Sequence, residues 1–117
     1  MTNPKLQDAA AILKKYPDRV PVICQRAKRS SSLPILQKKF LVPAAMAMGE
    51  FQYVVHKHLV EATQAAGASK LKSEQTVYLF VNGKTQRTSV ELSEVYASNK
   101  DSDGFLYVTY SSENTLG

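Results

Sequence analysis

Lys38-Lys39-Phe40-Leu41-Val42-Pro43 sets two ammonium groups beside three large apolar residues and closes on a proline. Alternation over so short a run reads as a β-strand, with Lys39 and Leu41 on one face and Phe40 and Val42 on the other. Pro43 has no amide donor, so it ends the strand and suits an edge better than a sheet centre. An edge strand carries unpaired amides and carbonyls, and lysines commonly guard it against random pairing. The same edge can accept an extended peptide as an added strand, with side pockets supplying selectivity. This rim is the expected binding surface, and the rest of the chain is expected to support it.

Upstream, Arg19-Val20-Pro21-Val22-Ile23-Cys24-Gln25-Arg26 is rich in β-branched residues and reads as a strand pairing with the rim as an antiparallel hairpin. Pro21 inside it implies an exposed edge segment or a bulge. Further upstream, Asn3-Pro4 reads as a helix N-cap followed by proline at the first helical position. Leu6, Ala9, Ala10 and Leu13 then recur at helical spacing to Lys15, and Tyr16-Pro17-Asp18 breaks the helix.

Downstream, the main helix is expected over Ala44 to Ala66. Met48, Phe51, Val55, Leu59 and Ala62 form its apolar stripe, Val54 flanks it, and Gly67 is a natural stop. Val60 to Ser69 reads as a helix extension or a loop. Thr76 to Val81 is a continuous apolar strand closed by Asn82-Gly83, a hairpin turn signal. Thr88 and Glu91 form a capping box for a short helix to about Ala97. A polar turn over Asn99 to Gly104 leads to a last strand, Phe105 to Tyr110. A long helix across one face of a four-stranded mixed sheet is the ubiquitin-like β-grasp, an α+β fold, here with an extra N-terminal helix. The expected division is a helical extension over 1–18, the β-grasp domain over 19–110 and a C-terminal tail over 111–117.

The 117 residues suffice for one domain, which at this size buries roughly 65% of the unfolded chain's surface. A 44% hydrophobic and 21% charged composition is ordinary for a globular chain. No apolar run reaches membrane-spanning length, and Met1-Thr2-Asn3-Pro4-Lys5 lacks a signal-peptide layout. The lone Cys24 excludes an internal disulfide and fits a reducing cytosol. The net charge of +5 is unevenly placed: residues 1–60 carry +7 and residues 61–117 carry −2. Such a basic half suits acidic peptides, an anionic membrane or phosphates, or is simply a solvated face.

Lys14-Lys15-Tyr16-Pro17-Asp18-Arg19-Val20-Pro21-Val22-Ile23 resembles the signature of the GABARAP and microtubule-associated light-chain family, the ubiquitin-like modifiers of autophagy. The resemblance continues through Lys38 to Pro43, Gly49-Glu50-Phe51, Tyr78 to Asn82, and Phe105-Leu106-Tyr107-Val108 with Tyr110. It covers the chain from about Asp8 to Gly117. It implies docking of short linear motifs of autophagy receptors and adaptors, in which an aliphatic residue follows an aromatic one three positions later. By similarity, Asp8, Ile12, Pro21, Ile23, Lys39, Leu41 and Phe105 line the aromatic pocket. Phe40, Val42, Pro43, Met46, Phe51 and Val54 line the aliphatic one. Lys14, Lys15, Arg19, Lys38 and Lys39 are expected to attract acidic residues flanking the motif. Without the resemblance, these apolar residues read as ordinary core.

The resemblance also implies conjugation of Gly117 to phosphatidylethanolamine on autophagosomal membranes. Ser111 to Leu116 would then be the segment threading the activating and conjugating enzymes. A deconjugating cysteine protease is a further implied partner, and the implied location is the cytoplasm, or the autophagosome membrane after lipidation. The chain stops at Gly117, so it is expected to be born mature or to have been trimmed. There is room for one N-terminal helix where the family usually has two, Val60 to Ser69 looks inserted, and His56 and His58 stand where the family has basic residues. A non-conjugated peptide-binding adaptor and the sister modifier attached to protein lysines are the alternatives.

No catalytic constellation is legible, and no enzyme activity or cofactor is expected. Cys24 lies mid-strand with no histidine placed to serve it. His56 and His58 do not share a helix face, so no metal site is expected there. Asp101-Ser102-Asp103-Gly104 lacks the remaining ligands of a calcium loop and reads as a turn. The basic face has no interleaved aromatics, which argues against nucleic acid as a partner.

Overall fold

The computed structural model describes residues 4–28, 38–65 and 76–112, and for 4–7 and 63–65 the backbone alone. The elements run α1 (Pro4–Lys15), β1 (Arg19–Arg26), β2 (Lys38–Pro43), α2 (Met48–Ala65), β3 (Tyr78–Phe80), α3 (Leu92–Asn99) and β4 (Leu106–Ser111). The strands form one sheet in the order β2-β1-β4-β3. β1 pairs antiparallel with β2 and parallel with β4, and β3 pairs antiparallel with β4. This is the expected mixed four-stranded sheet, and among the described residues β2 is an edge strand. The proposed N-cap Asn3, the stop at Gly67 and the tail to Gly117 lie outside the described residues.

The two-residue period of the strands sorts side chains into two layers. Val20, Val22 and Cys24 of β1, Phe40 and Val42 of β2, and Leu106, Val108 and Tyr110 of β4 face one way. There they meet Met48, Phe51, Val55 and Leu59 of α2 and Leu92 and Val95 of α3. Ile23 and Tyr107 turn to the opposite face and pack with Phe105 against Ala9 and Ile12 of α1. Fully burying one such aliphatic or aromatic side chain contributes about 1.5–3 kcal/mol, so the larger layer dominates the stability.

Several expectations are corrected. Pro21 is in neither an exposed edge nor a bulge: it is buried within β1, which has β2 on one side and β4 on the other. Its missing amide is tolerated because Pro21 opposes Leu41 in β2, while the ladder to β4 begins only at Val22. The main helix starts at Met48 instead of Ala44. Residues 44–47 instead form a turn, with Met46 N donating to Pro43 O (3.0 Å), and then a single bridge, Ala47 to Glu91. Met48 N donates to Val90 O (2.8 Å), Gly49 N to Thr88 O (3.0 Å) and Leu92 N to Met46 O (2.8 Å). Non-local partners thus take the groups that a longer helix would have used.

The same pairing removes the capping box. Glu91 itself is the N-cap of α3, with extended backbone and no side-chain cap bond, and α3 runs to Asn99 rather than Ala97. β3 spans three residues instead of Thr76 to Val81, because its ladder with β4 runs only from Tyr78–Ser111 to Phe80–Thr109. Asn82-Gly83 does form the two-residue turn: both have positive φ (53° and 79°), and Val81 and Lys84 exchange hydrogen bonds of 2.8 and 3.1 Å across it. The last strand is shifted by one residue and includes a buried Ser111.

Candidate functional site

The rim begins with backbone geometry. Ala44 N donates to Asp18 O at 2.9 Å, which makes 18 and 44 a hydrogen-bonded pair. Alternation along the antiparallel register then makes Val20–Val42 and Val22–Phe40 bonded pairs, and Pro21–Leu41 and Ile23–Lys39 non-bonded ones. The amides and carbonyls of Lys39 and Leu41 therefore point away from β1, toward the open side. One of these acceptors is occupied, since an Arg19 guanidinium nitrogen donates to Leu41 O at 3.3 Å.

Each face of this edge carries an apolar patch. On the α1 face the register sets Pro21 beside Leu41 and Ile23 beside Lys39. Phe105, which is 1% exposed, and half-buried Ile12 close this patch, and Lys39 Nζ lies 5.4 Å from the Phe105 ring centroid. Asp8 is exposed one turn before Ile12. Of the expected aromatic-pocket residues, Ile12, Ile23 and Phe105 thus pack together with Lys39 beside the Phe105 ring, while Pro21 and Leu41 are a cross-strand pair two positions along the same strand face. Ala9 and Tyr107 belong to the same cluster and are additions to the expected set. Tyr107 shares the strand parity of Phe105, and Ala9 precedes Ile12 by helical spacing, so both signals are present in the sequence.

On the α2 face, Phe40 and Val42 join the core beneath α2, half-buried Met46 and Val54 pack against that same core, and Pro43 is exposed at the strand end. Phe51 is wholly buried and meets Phe40 edge-on at 5.5 Å, so it is the floor beneath this patch rather than its wall. A second contact is absent from the sequence reading. His58 meets Phe40 edge-on at 5.2 Å, Lys38 Nζ lies 5.4 Å from the Phe40 centroid, and Lys38 Nζ is 3.5 Å from His58 Nδ1. The spacing of Phe51, Val54 and His58 along α2 is the signal that could have revealed it.

Other polar groups are structural. Asp103 is buried and accepts hydrogen bonds from Phe105 N (2.9 Å) and from the Tyr107 hydroxyl. This carboxyl fixes the entry to β4, and with it the Phe105 ring. Tyr96 donates to Gly104 O at 2.6 Å; burial, and then the charge of Asp103, raise its pKa. Cys24 is fully buried, and desolvation pushes its thiol pKa up to about 12, which removes the thiolate needed for nucleophilic chemistry at neutral pH. One cleft of about 250 Å³ is lined by Met48, Gln52, Tyr78 and Thr88, and another of about 420 Å³ by Ala9, Leu13, Tyr96 and Lys100. Among the described residues, no helix is long and apolar enough to cross a membrane.

Comparison with known proteins agrees with this architecture. Residues 4–117 match the family model described as autophagy protein Atg8, ubiquitin-like. Autophagy-related protein 8c of Arabidopsis thaliana is 44% identical over 110 residues, covering 94% of this chain and 84% of the relative. Autophagy-related protein 8 of Dictyostelium discoideum is 44% identical over 109 residues, covering 93% and 82%. Among solved structures, Plasmodium falciparum Atg8 in complex with a P. falciparum Atg3 peptide superposes with a TM-score of 0.80 at 42% identity, covering 95% of this chain and 89% of that one. Trypanosoma brucei ATG8 gives 0.79 at 32% identity, covering 97% and 89%. With its mixed sheet, its helix across one face and a family match spanning almost the whole chain, this protein belongs to the Atg8 family of ubiquitin-like autophagy proteins.

Proposed function

We propose that the β2 rim docks aromatic-x-x-aliphatic motifs of autophagy receptors and adaptors, and that Gly117 is conjugated to phosphatidylethanolamine. The observation that carries the docking half is the open edge at Lys39 and Leu41, flanked by one apolar patch on each face of the sheet. A guest strand places residues three apart on opposite faces. An aromatic anchor would enter between α1 and the sheet, and the aliphatic one would lie over Phe40, Val42 and Val54. Arg19 holds an acceptor that a guest amide needs, so docking would displace its guanidinium and free it for an acidic flank of the motif. The Plasmodium relative, solved with a bound Atg3 peptide, supports a peptide-binding role.

The conjugation half rests on family membership and on the position of Gly117 after the last strand. Its partners would be the activating and conjugating enzymes, a deconjugating cysteine protease and a phosphatidylethanolamine membrane. The protein would move between the cytoplasm and the autophagosome membrane. Within the family, we read the Lys14 to Ile23 block as resembling the GABARAP and light-chain branch. One experiment separates the halves. Leu41→Asp and Val54→Asp, both at half-buried patch positions, should each weaken binding of such a peptide at least about tenfold in calorimetry. Deletion of Gly117 should leave that affinity unchanged and abolish lipid attachment in a reaction reconstituted with the conjugating enzymes. Unaltered peptide affinity in both aspartate variants would refute docking at this rim, and attachment without Gly117 would refute the conjugation site.

A further inference from the structure

We infer that Asn82 is a site of spontaneous covalent modification: its side-chain amide is lost to water through a cyclic imide with Gly83, leaving aspartate or isoaspartate in the turn after β3. The reaction needs the amide nitrogen of the following residue to be free and uncrowded. Asn82 and Gly83 are both exposed. Among the described residues no acceptor takes the Gly83 N–H, and even an added Cβ there would have no atom within 4 Å. Asn99 shows the opposite arrangement. The amide that follows it, Lys100 N, donates to Tyr96 O at 2.9 Å, and its own Nδ2 donates to Val95 O at 3.0 Å. In the sequence, Asn3 precedes Pro4, which has no N–H to give up, and Asn114 precedes Thr115, whose branched Cβ shields the nitrogen. Asn82 is therefore the asparagine whose neighbour is best placed to react.

Hydroxide takes the Gly83 N–H proton, and the nitrogen attacks Cγ of Asn82. The Cγ–Nδ2 bond breaks as Nδ2 takes a proton from water and leaves as ammonia. Water then opens the imide: addition at Cγ gives aspartate, and addition at the backbone carbonyl gives isoaspartate, with the chain rerouted through Cβ and Cγ. Nothing is oxidised or reduced, and water is the sole co-reactant. The product alters a specific contact. Asn82 Nδ2 donates to Asn99 Oδ1 at 3.0 Å, which ties the turn to the last residue of α3. After conversion two acceptors face one another, because Asn99 Nδ2 is committed to Val95 O. The new carboxylate also lies beside the C-terminal end of α3, where the helix dipole disfavours an anion. Isoaspartate further lengthens the backbone of a two-residue turn across which Val81 and Lys84 pair. The modification thus unfastens the turn from α3, and the loss of ammonia makes it permanent.

Incubation of the full chain in warm buffer, followed by peptide-mapping mass spectrometry, tests this. An amide-to-acid mass gain should appear first at Asn82, with part of the product labelled by an isoaspartate methyltransferase. The rate should rise about five- to tenfold per pH unit between about pH 6.5 and about pH 8.5, as the attacking amide anion grows in proportion to hydroxide. Gly83→Ala, whose methyl group crowds the nitrogen, should slow conversion at least about tenfold. Asn82→Asp, which carries the aspartate product from the start, should melt about 2–8 °C below the parent chain. No mass gain, earlier conversion at Asn99 or Asn114, or a rate indifferent to Gly83→Ala would overturn the assignment of the site. An unchanged Tm in Asn82→Asp would overturn the claim that the product unfastens the turn.

Discussion

Cys24 and Asp103 show how single buried groups set the limits of this fold. The folded-state thiol pKa is raised from 9.0 to about 12 by burial, so the native state keeps its proton where the unfolded chain has lost it. The unfolded state then binds fewer protons, and stability falls as pH rises from 9.0 toward about 12, by at most about 1.4 kcal/mol per pH unit. Cys24→Ala should remove this part of the alkaline loss, which parallel urea titrations of the two proteins would reveal. Native protein at neutral pH should also resist thiol alkylation until denatured. Asp103 works differently, by accepting from Phe105 N and the Tyr107 hydroxyl. Asp103→Ala would leave those donors unpaired beside the aromatic patch, at a cost of about 2–4 kcal/mol in urea unfolding.

At the level of elements, two glycines are needed for opposite reasons. Gly83 has φ of +79°, and an added Cβ there would have no neighbouring atom within 4 Å, so Gly83→Ala meets strain but no collision. The expected loss is about 1 kcal/mol, and Gly83→Asn should lose less because asparagine tolerates left-handed backbone. Gly49 is helical, but an added Cβ would sit 3.2 Å from Thr88 Cβ and 3.3 Å from Thr88 O. Backbone at that distance cannot swing aside, so Gly49→Ala should destabilise despite alanine's advantage of about 1 kcal/mol in a helix. Thermal unfolding of the three variants would rank them.

The Gly49 contact also marks the limit of what local sequence encodes. α1, β1 and β2 are legible with their bounds because their signals are local: a period of 3.6 for α1, β-branched residues for β1 and a period of 2 for β2, with Pro17 and Pro43 as stops for α1 and β2. Pro21, Ile23, Lys39 and Leu41 can be set on one face for the same reason. The start of α2, the N-cap of α3 and the shortness of β3 are not legible. Residues 46–49 and 88–92 satisfy each other's backbone across about forty positions, and no local preference of Ala44 or Thr88 announces that. Phe105 reaches the aromatic patch through the parallel β1–β4 ladder, which resemblance supplies and periodicity cannot.

In the whole molecule, a single sheet separates two layers of very unequal size. The α2 side joins all four strands to α2 and α3 through one continuous core, while the α1 side is the small cluster of Ala9, Ile23 and Phe105 with Ile12 and Tyr107. α1 is therefore the element whose detachment the rest can survive, and opening free energies should differ between the layers. Amide exchange should show α1 opening well before β1 and α2, whose amides should exchange only through global unfolding. Deleting residues 1–16 should cost roughly 2–4 kcal/mol, the scale of losing one or two buried side chains, and leave a cooperative fold. Because Ile12 and Ala9 leave with the helix, the truncated chain should lose affinity for the aromatic anchor of a docked peptide. A mutation confined to the α2 side, such as Val54→Asp, should then add little further loss. Calorimetry on the truncation, the point variant and their combination would reveal whether the two patches act as one site across the edge, as non-additive losses require, or as two independent ones.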